Sequence, residues 1–222
     1  MAILDNRSHN WRPVKVTALC LSRGNQAFLD QAYASWLGQT VQGCEFLVVH
    51  DGAVPLQTPG PSVIVPPGTN LGKRRNAGIR AATGDIIVVW DDDDWSEATR
   101  LTVQLPPLTR GHSASFLRDV LIERGDGTDQ ALATMGVGWP QTMVAFKTAI
   151  LACGGYAEDQ EFDGDTDLMM DLQGLCNGVN LDTEAPLYRY REHASNVTGP
   201  GHWRAIRERS RPLKSHECQT TV

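Results

Sequence analysis

Short apolar runs alternate with helical stripes along the first half of the chain, and their order predicts a layered α/β fold with a parallel sheet. Val14 to Leu21 reads as a strand, and Ser22 to Asn25 as the turn after it. From Gln26 to Leu37 the apolar residues Ala27, Phe28, Ala32, Trp36 and Leu37 recur at helical spacing, with Asn25 placed to cap. Glu45 to Val49 forms a second apolar strand that ends in His50-Asp51-Gly52. A short strand at Ser62 to Val65 follows, then a helix from Asn70 to about Ala82 that Gly84 ends as a C′ glycine. Ile86 to Trp90 has no alternation, which suits a strand buried on both faces.

The second half is less regular. Ser96 to Leu105 predicts a short helix stopped by Pro106-Pro107. Ala114 to Glu123 and Gln130 to Met135, separated by Gly125-Asp-Gly127, predict an antiparallel hairpin. Met143 to Leu151 returns toward the core, a helix begins near Asp165, and Leu187 to Arg191 is a late strand. Beyond it, His202 to Lys214 is basic and reads as a tail. The 222 residues fit one domain, with segments at 14–105 and 106–195 and a basic tail at 196–222.

Chemistry concentrates where the buried strand stops, in Asp91-Asp92-Asp93-Asp94. Strand carboxyl ends are where open α/β sheets bind ligands. Four adjacent carboxylates repel one another, and hard oxygen ligands suit Mg²⁺ or Mn²⁺ bridging to phosphates. The bland alternative is a solvated acidic turn that caps the next helix. Lys73, Arg74 and Arg75 crowd the first turns of another helix, where positive charge opposes the macrodipole unless an anion arrives. Asp165 lies at a loop-to-helix junction, where plain capping would also explain it.

Composition narrows the classes. A net charge of −6 argues against a surface built wholly for nucleic acid. Five scattered cysteines without a Cys-x-x-Cys pair argue for reduced thiols and against zinc. With no apolar signal core or membrane-length run, the expectation is a cytoplasmic protein.

Four landmarks, in order over residues 14 to 195, together resemble the family 2 glycosyltransferases. They are Phe46-Leu-Val-Val-His-Asp-Gly52; Asn70-Leu-Gly-Lys-Arg-Arg-Asn-Ala-Gly-Ile with Ala82-Thr-Gly-Asp; Asp91-Asp92-Asp93; and Gly155-Tyr through Gly164-Asp165-Thr-Asp-Leu. The resemblance implies a GT-A (Rossmann-like) fold, a mostly parallel sheet flanked by helices with a small antiparallel hairpin on the acceptor side. It implies an inverting transfer from a nucleoside-diphosphate sugar, UDP-sugars foremost, to an acceptor hydroxyl. It also implies a catalytic base at Asp165 and donor contacts from Ser22, Arg23, Asp51, Asn70, Lys73, Arg75, Asp91 and Asp92. Mn²⁺ or Mg²⁺ would be held by Asp91, Asp93 and His193, with His202 as the other candidate histidine. Three departures stand out: Leu21-Ser-Arg-Gly-Asn for Pro-Thr-Tyr-Asn, His50 for the first Asp of Asp-Asp-Gly, and Gly164 for the Glu of Glu-Asp.

Two rival readings remain at this level. Asp91-x-Asp93 after an apolar strand partly matches haloacid-dehalogenase-type phosphohydrolases, although that motif normally follows the first strand. A catalytically silent nucleotide-sugar- or partner-binding module is the other. The acceptor is open among a glycan, a lipid-linked precursor, a protein and a hydroxylated base in DNA.

Overall fold

The computed structural model describes residues 14–124, 129–159, 164–194, 196 and 200–212. The chain begins β1 (Val16–Leu21), α1 (Gln26–Leu37), β2 (Glu45–His50), β3 (Ser62–Ile64), α2 (Leu71–Ala81), β4 (Ile86–Val89) and β5 (Trp95–Ser96). It continues α3 (Arg100–Gln104), α4 (Pro106–Thr109), β6 (Ala114–Leu117), β7 (Asp119–Arg124) and β8 (Asp129–Thr134). A 3₁₀ turn at Pro140–Thr142 leads to β9 (Val144–Phe146), α5 (Lys147–Ala152), α6 (Gly164–Leu175), β10 (Val179–Leu181), β11 (Tyr188–Glu192), α7 (Pro200–Arg209) and β12 (Arg211–Pro212).

These strands make two sheets. The larger has seven, in the order β10-β6-β9-β4-β1-β2-β3, and only β9 runs antiparallel to its neighbours. Its central strands are buried along their whole length, β1 and β4 without an exposed residue, as unbroken apolar runs covered on both faces must be. Each such Leu, Ile or Val contributes about 1.5–3 kcal/mol by leaving water. The smaller sheet has the order β12-β8-β7-β11-β5 and carries its own core, with Trp139, Tyr188, Tyr190 and Trp203 packed together.

Several expectations need correction. Ser96 does not start a helix: it pairs in β5 with Tyr188 of β11, and the helix waits until Arg100. The helix does stop ahead of the prolines, α3 ending at Gln104, but Pro106 and Pro107 then open the short α4, since a first-turn proline forfeits no needed N–H. Gly84 is no C′ cap. The helix closes through the extended Ala82, and Gly84 is glycine because a Cβ there would sit 2.7 Å from the Thr17 backbone nitrogen. The expected hairpin is real between β7 and β8, but its first strand is split, so that β6 belongs to the large sheet. Gly125-Asp-Gly127 at its tip lies outside the described residues. The basic tail is largely helix: Trp203 of α7 is buried, with its ring 4.6 Å from that of Tyr190.

Candidate active site

Ser22 and Arg23, Asp51, and the four aspartates stand at the carboxyl ends of β1, β2 and β4, which the parallel register places side by side. The four aspartates divide by facing. Asp92 and Asp94 turn inward and are buried, whereas Asp91 and Asp93 stay partly open.

The inward pair ties the acidic turn to the fold. Ser22, fully buried at the end of β1, donates to Asp92 Oδ2 at 2.6 Å. Asp94 accepts from the Tyr188 hydroxyl at 2.5 Å and from the Arg191 backbone N–H at 2.8 Å. Beneath them Arg100, without exposure, lies between the rings of Trp90 and Tyr188, 5.2 and 5.0 Å away. It donates to Gln104, Ser96 and the Val89 carbonyl, and burial lowers its pKa to about 10. Burial also pushes the carboxyls upward: Asp91 to about 6, partly offset by Arg75 and worsened by Asp93 and Asp165, and Asp92 to about 7 despite Ser22. Asp94 is raised as well, for the same reason. These carboxyls are therefore costly to ionise where they stand, chiefly because they are buried.

The open pair faces working groups. Asp93 Oδ2 lies 3.1 Å from His193 Nε2, across a hundred residues of chain. Asn196 accepts from the His193 backbone N–H at 2.6 Å and donates to the Arg191 carbonyl at 3.2 Å, which fixes its amide and turns the NH₂ toward Nε2 at 3.1 Å. Nε2 thus faces both the Asn196 amide and the Asp93 carboxylate, and imidazole nitrogen is a common metal ligand. Two ligands at right angles on an octahedral ion, each about 2.1 Å from it, lie about 3.0 Å apart. The Asp93–His193 spacing, beside carboxyls that a cation would help to ionise, therefore fits a divalent cation. Among the described residues no group of three such ligands is assembled. The third expected ligand, Asp91, is turned to Arg75, whose Nη2 is 3.5 Å from Asp91 Oδ1. His202 instead lies against Tyr190 and Trp203.

Beside Asp93 and His193 opens a cavity of about 780 Å³, lined also by Arg23, Gly24, Phe28 and Asp92. Its volume suits a nucleotide-sized ligand. The Phe28 ring stands 4.8 Å from His193, with the Arg191 guanidinium 5.6 Å from it on another side.

The basic start of α2 meets carboxylates of the protein itself. Arg74 pairs with Asp51 at the end of β2 and donates to the Thr69 carbonyl. The Ala53 N–H and Arg74 hold Asp51 below the usual carboxylate range. Asn70 caps α2 by accepting from the Lys73 N–H, and also donates to the Glu158 carbonyl at 2.6 Å. Lys73 is exposed. Arg75, 3% exposed, pairs with Asp165 on the first turn of α6 as well as with Asp91, and lies over the Tyr156 ring.

Pattern reading gave Asp94 no role of its own within the acidic run and overlooked Arg100, Tyr156, Tyr188, Arg191 and Asn196. Arg191 and Asn196 flank His193 closely enough to have been suspected; Arg100, Tyr156 and Tyr188 carry no signal of their own in sequence.

Solved structures with the same architecture include S. aureus TarS 1-349 in complex with UDP-GlcNAc, 13% identical with a TM-score of 0.63 over 86% of this chain and 64% of that one. The mannosyltransferase PcManGT from Pyrobaculum calidifontis, in complex with GDP-Man and Mn²⁺, is 18% identical with a TM-score of 0.57 over 87% and 61%. The chain thus spans under two thirds of the length of either, and shares their GT-A fold. No curated protein matches it in sequence. The glycosyl transferase family 2 profile matches residues 21–142, more than half the chain and all of the strand ends that carry Ser22, Asp51 and the four aspartates. The chain belongs to glycosyl transferase family 2.

Proposed function

We propose that the protein transfers a sugar from a nucleoside-diphosphate sugar to an acceptor hydroxyl, with inversion and with Asp165 as general base. The observation that carries this reading is the pairing of Asp93 with His193 at the mouth of a nucleotide-sized cavity, with Asp165 held nearby through Arg75 and Asp91. Asp51 and Arg74 form a polar pair at the neighbouring strand end, suited to the nucleoside part of the donor. Arg23 supplies positive charge beside the cavity for the diphosphate. A divalent ion held by Asp93 and His193 would stabilise negative charge on the leaving diphosphate. Asp165 takes the proton from the attacking hydroxyl, and one base suffices because inversion needs no covalent sugar intermediate.

Both UDP- and GDP-sugars are reasonable donors, since the two solved relatives bind one each. A thermal-shift series with UDP and GDP, with and without Mn²⁺, tests the donor site. Ligand at a hundred times its Kd raises stability by about 2.7 kcal/mol. A metal-dependent shift that Asp93→Ala removes supports the reading, and no shift with either nucleotide would refute it. Asp165→Asn is expected to keep nucleotide binding and to lose roughly a hundred- to ten-thousandfold in transfer rate, measured as nucleoside diphosphate released.

A further inference from the structure

Arg75 does not sit where a donor could easily reach it. Its side chain is 4% exposed, its plane is set by the Tyr156 ring 5.1 Å away, and its two ends face two different carboxylates. One end meets Asp165 of α6 in an ion pair, and the other approaches Asp91 of the acidic turn at 3.5 Å. Nε lacks a hydrogen-bond acceptor among the described residues, and the fork is held by its two carboxylate partners and by stacking.

The helix beneath it is a platform for the segment that leads to the base. Asn76 donates to the Tyr156 carbonyl at 2.8 Å and to Glu158 Oε1 at 2.9 Å, and accepts from the Tyr156 N–H at 2.9 Å. Asn70 reaches the Glu158 carbonyl, and Gly72 must be glycine because a Cβ would collide with the Ala157 carbonyl oxygen. Thus α2 fixes residues 156–158 through its backbone contacts, and Arg75 extends the same hold to Asp165.

We propose that Arg75 is a positioning residue for the base, fixing the Asp165 carboxylate relative to the acidic turn instead of binding the donor's phosphates. This rests on the reading of Asp165 as the base. A planar guanidinium can bridge two carboxylates at a set separation, which a lysine ammonium cannot do with the same geometry. Base and donor end then share one rigid frame, and a base misplaced by about 1 Å can lose about a hundredfold in rate.

The test compares Arg75→Met, Arg75→Lys and Asp165→Asn with the parent, using UDP-GlcNAc and GDP-mannose with Mn²⁺ for turnover, and UDP and GDP for calorimetric binding. In Arg75→Met, kcat is expected to fall about a hundredfold while nucleotide Kd moves less than about threefold, with partial recovery in Arg75→Lys. A Kd weakened about tenfold with kcat retained would make Arg75 a donor ligand and overturn the proposal. If Asp165→Asn itself keeps its turnover, the base reading falls, whatever Arg75 does. A double-mutant cycle on melting temperature needs no substrate: the shift in Arg75→Met/Asp165→Asn should be clearly smaller than the two single shifts combined. Additive shifts would show that the two side chains are not coupled, and would equally overturn the proposal.

Discussion

The two sheets of this protein are built from sequence in different ways. The large sheet takes β1, β2, β3 and β4 from strand–helix–strand units that follow one another along the chain. The small sheet gathers β5, β7, β8, β11 and β12 from positions spread between Trp95 and Pro212. Those four strands are a local construction that brings their ends together, with β6, β9 and β10 added to the sheet from farther along. The second, apart from the β7–β8 hairpin, is assembled by long-range pairing and delivers partners that arrive late: Tyr188, Arg191, His193 and Asn196. The acidic turn is where they join, with Asp92 tied to the large sheet through Ser22, and Asp94 to the small one through Tyr188 and Arg191. A site of this kind is half written in local motifs and half in contacts between distant segments.

The largest expected effect tests the joint itself. Asp91 and Asp92 have raised pKa values, about 6 and about 7. The associated stability is fully present below the ordinary carboxylate value near 4 and is lost as pH rises through 6 to 7. Asp92 alone is linked to up to about 4 kcal/mol. The metal-free protein should therefore melt at a higher temperature at pH 5 than at pH 8. Mn²⁺ should recover the difference at pH 8 and do little at pH 5, where protons compete with it. A melting temperature that stays level across that range without metal would show that the two sheets neutralise the turn by themselves.

The next effect asks whether the small sheet's outer layer is structure or solvated tail. Trp203 is 3% exposed and packs on Tyr190, next to the strand end that leads to His193. Trp203→Ala should cost about 3–5 kcal/mol in chemical denaturation, as for other buried large-to-small changes. A cost under about 0.5 kcal/mol, usual for surface substitutions, would return α7 to the status of a tail.

What the sequence made legible follows the same division. The helix from Gln26 to Leu37, its Asn25 cap and the buried strand ending in the aspartates could be read because period, capping chemistry and strand length are local signals. Family motifs named Asp51, Asp93, Asp165 and His193 one by one; that Asp51 meets Arg74, Asp93 meets His193 and Asp165 meets Arg75 is what the fold adds. Ser96 was misread because two residues cannot show a period, and their strand character comes from Tyr188 and Arg189 across the chain. Gly84 looked like a cap because nothing in sequence reveals the backbone of Thr17 behind it. The partners of Arg75 were likewise invisible: a basic run at a helix start suggests a missing anion, but whether that anion is a ligand or the protein's own aspartate is a tertiary fact.

The smallest effect probes the hold of the small sheet on the acidic turn. Tyr188→Phe removes one hydroxyl and leaves the ring that covers Arg100 in place. Asp94 would keep the Arg191 N–H but lose its other partner while remaining buried, a loss worth about 1–3 kcal/mol. Asp93, the next residue, is also held from this side, because Arg191 Nε donates to its carbonyl at 2.6 Å. If the second sheet positions the metal-facing carboxylate, Tyr188→Phe should shrink the Mn²⁺-dependent nucleotide shift as well as lower the melting temperature. If it only buttresses the fold, the melting temperature should drop while the shift keeps its full size. The ratio of the two measurements then separates support from positioning, which neither the pH series nor the Trp203 variant can do.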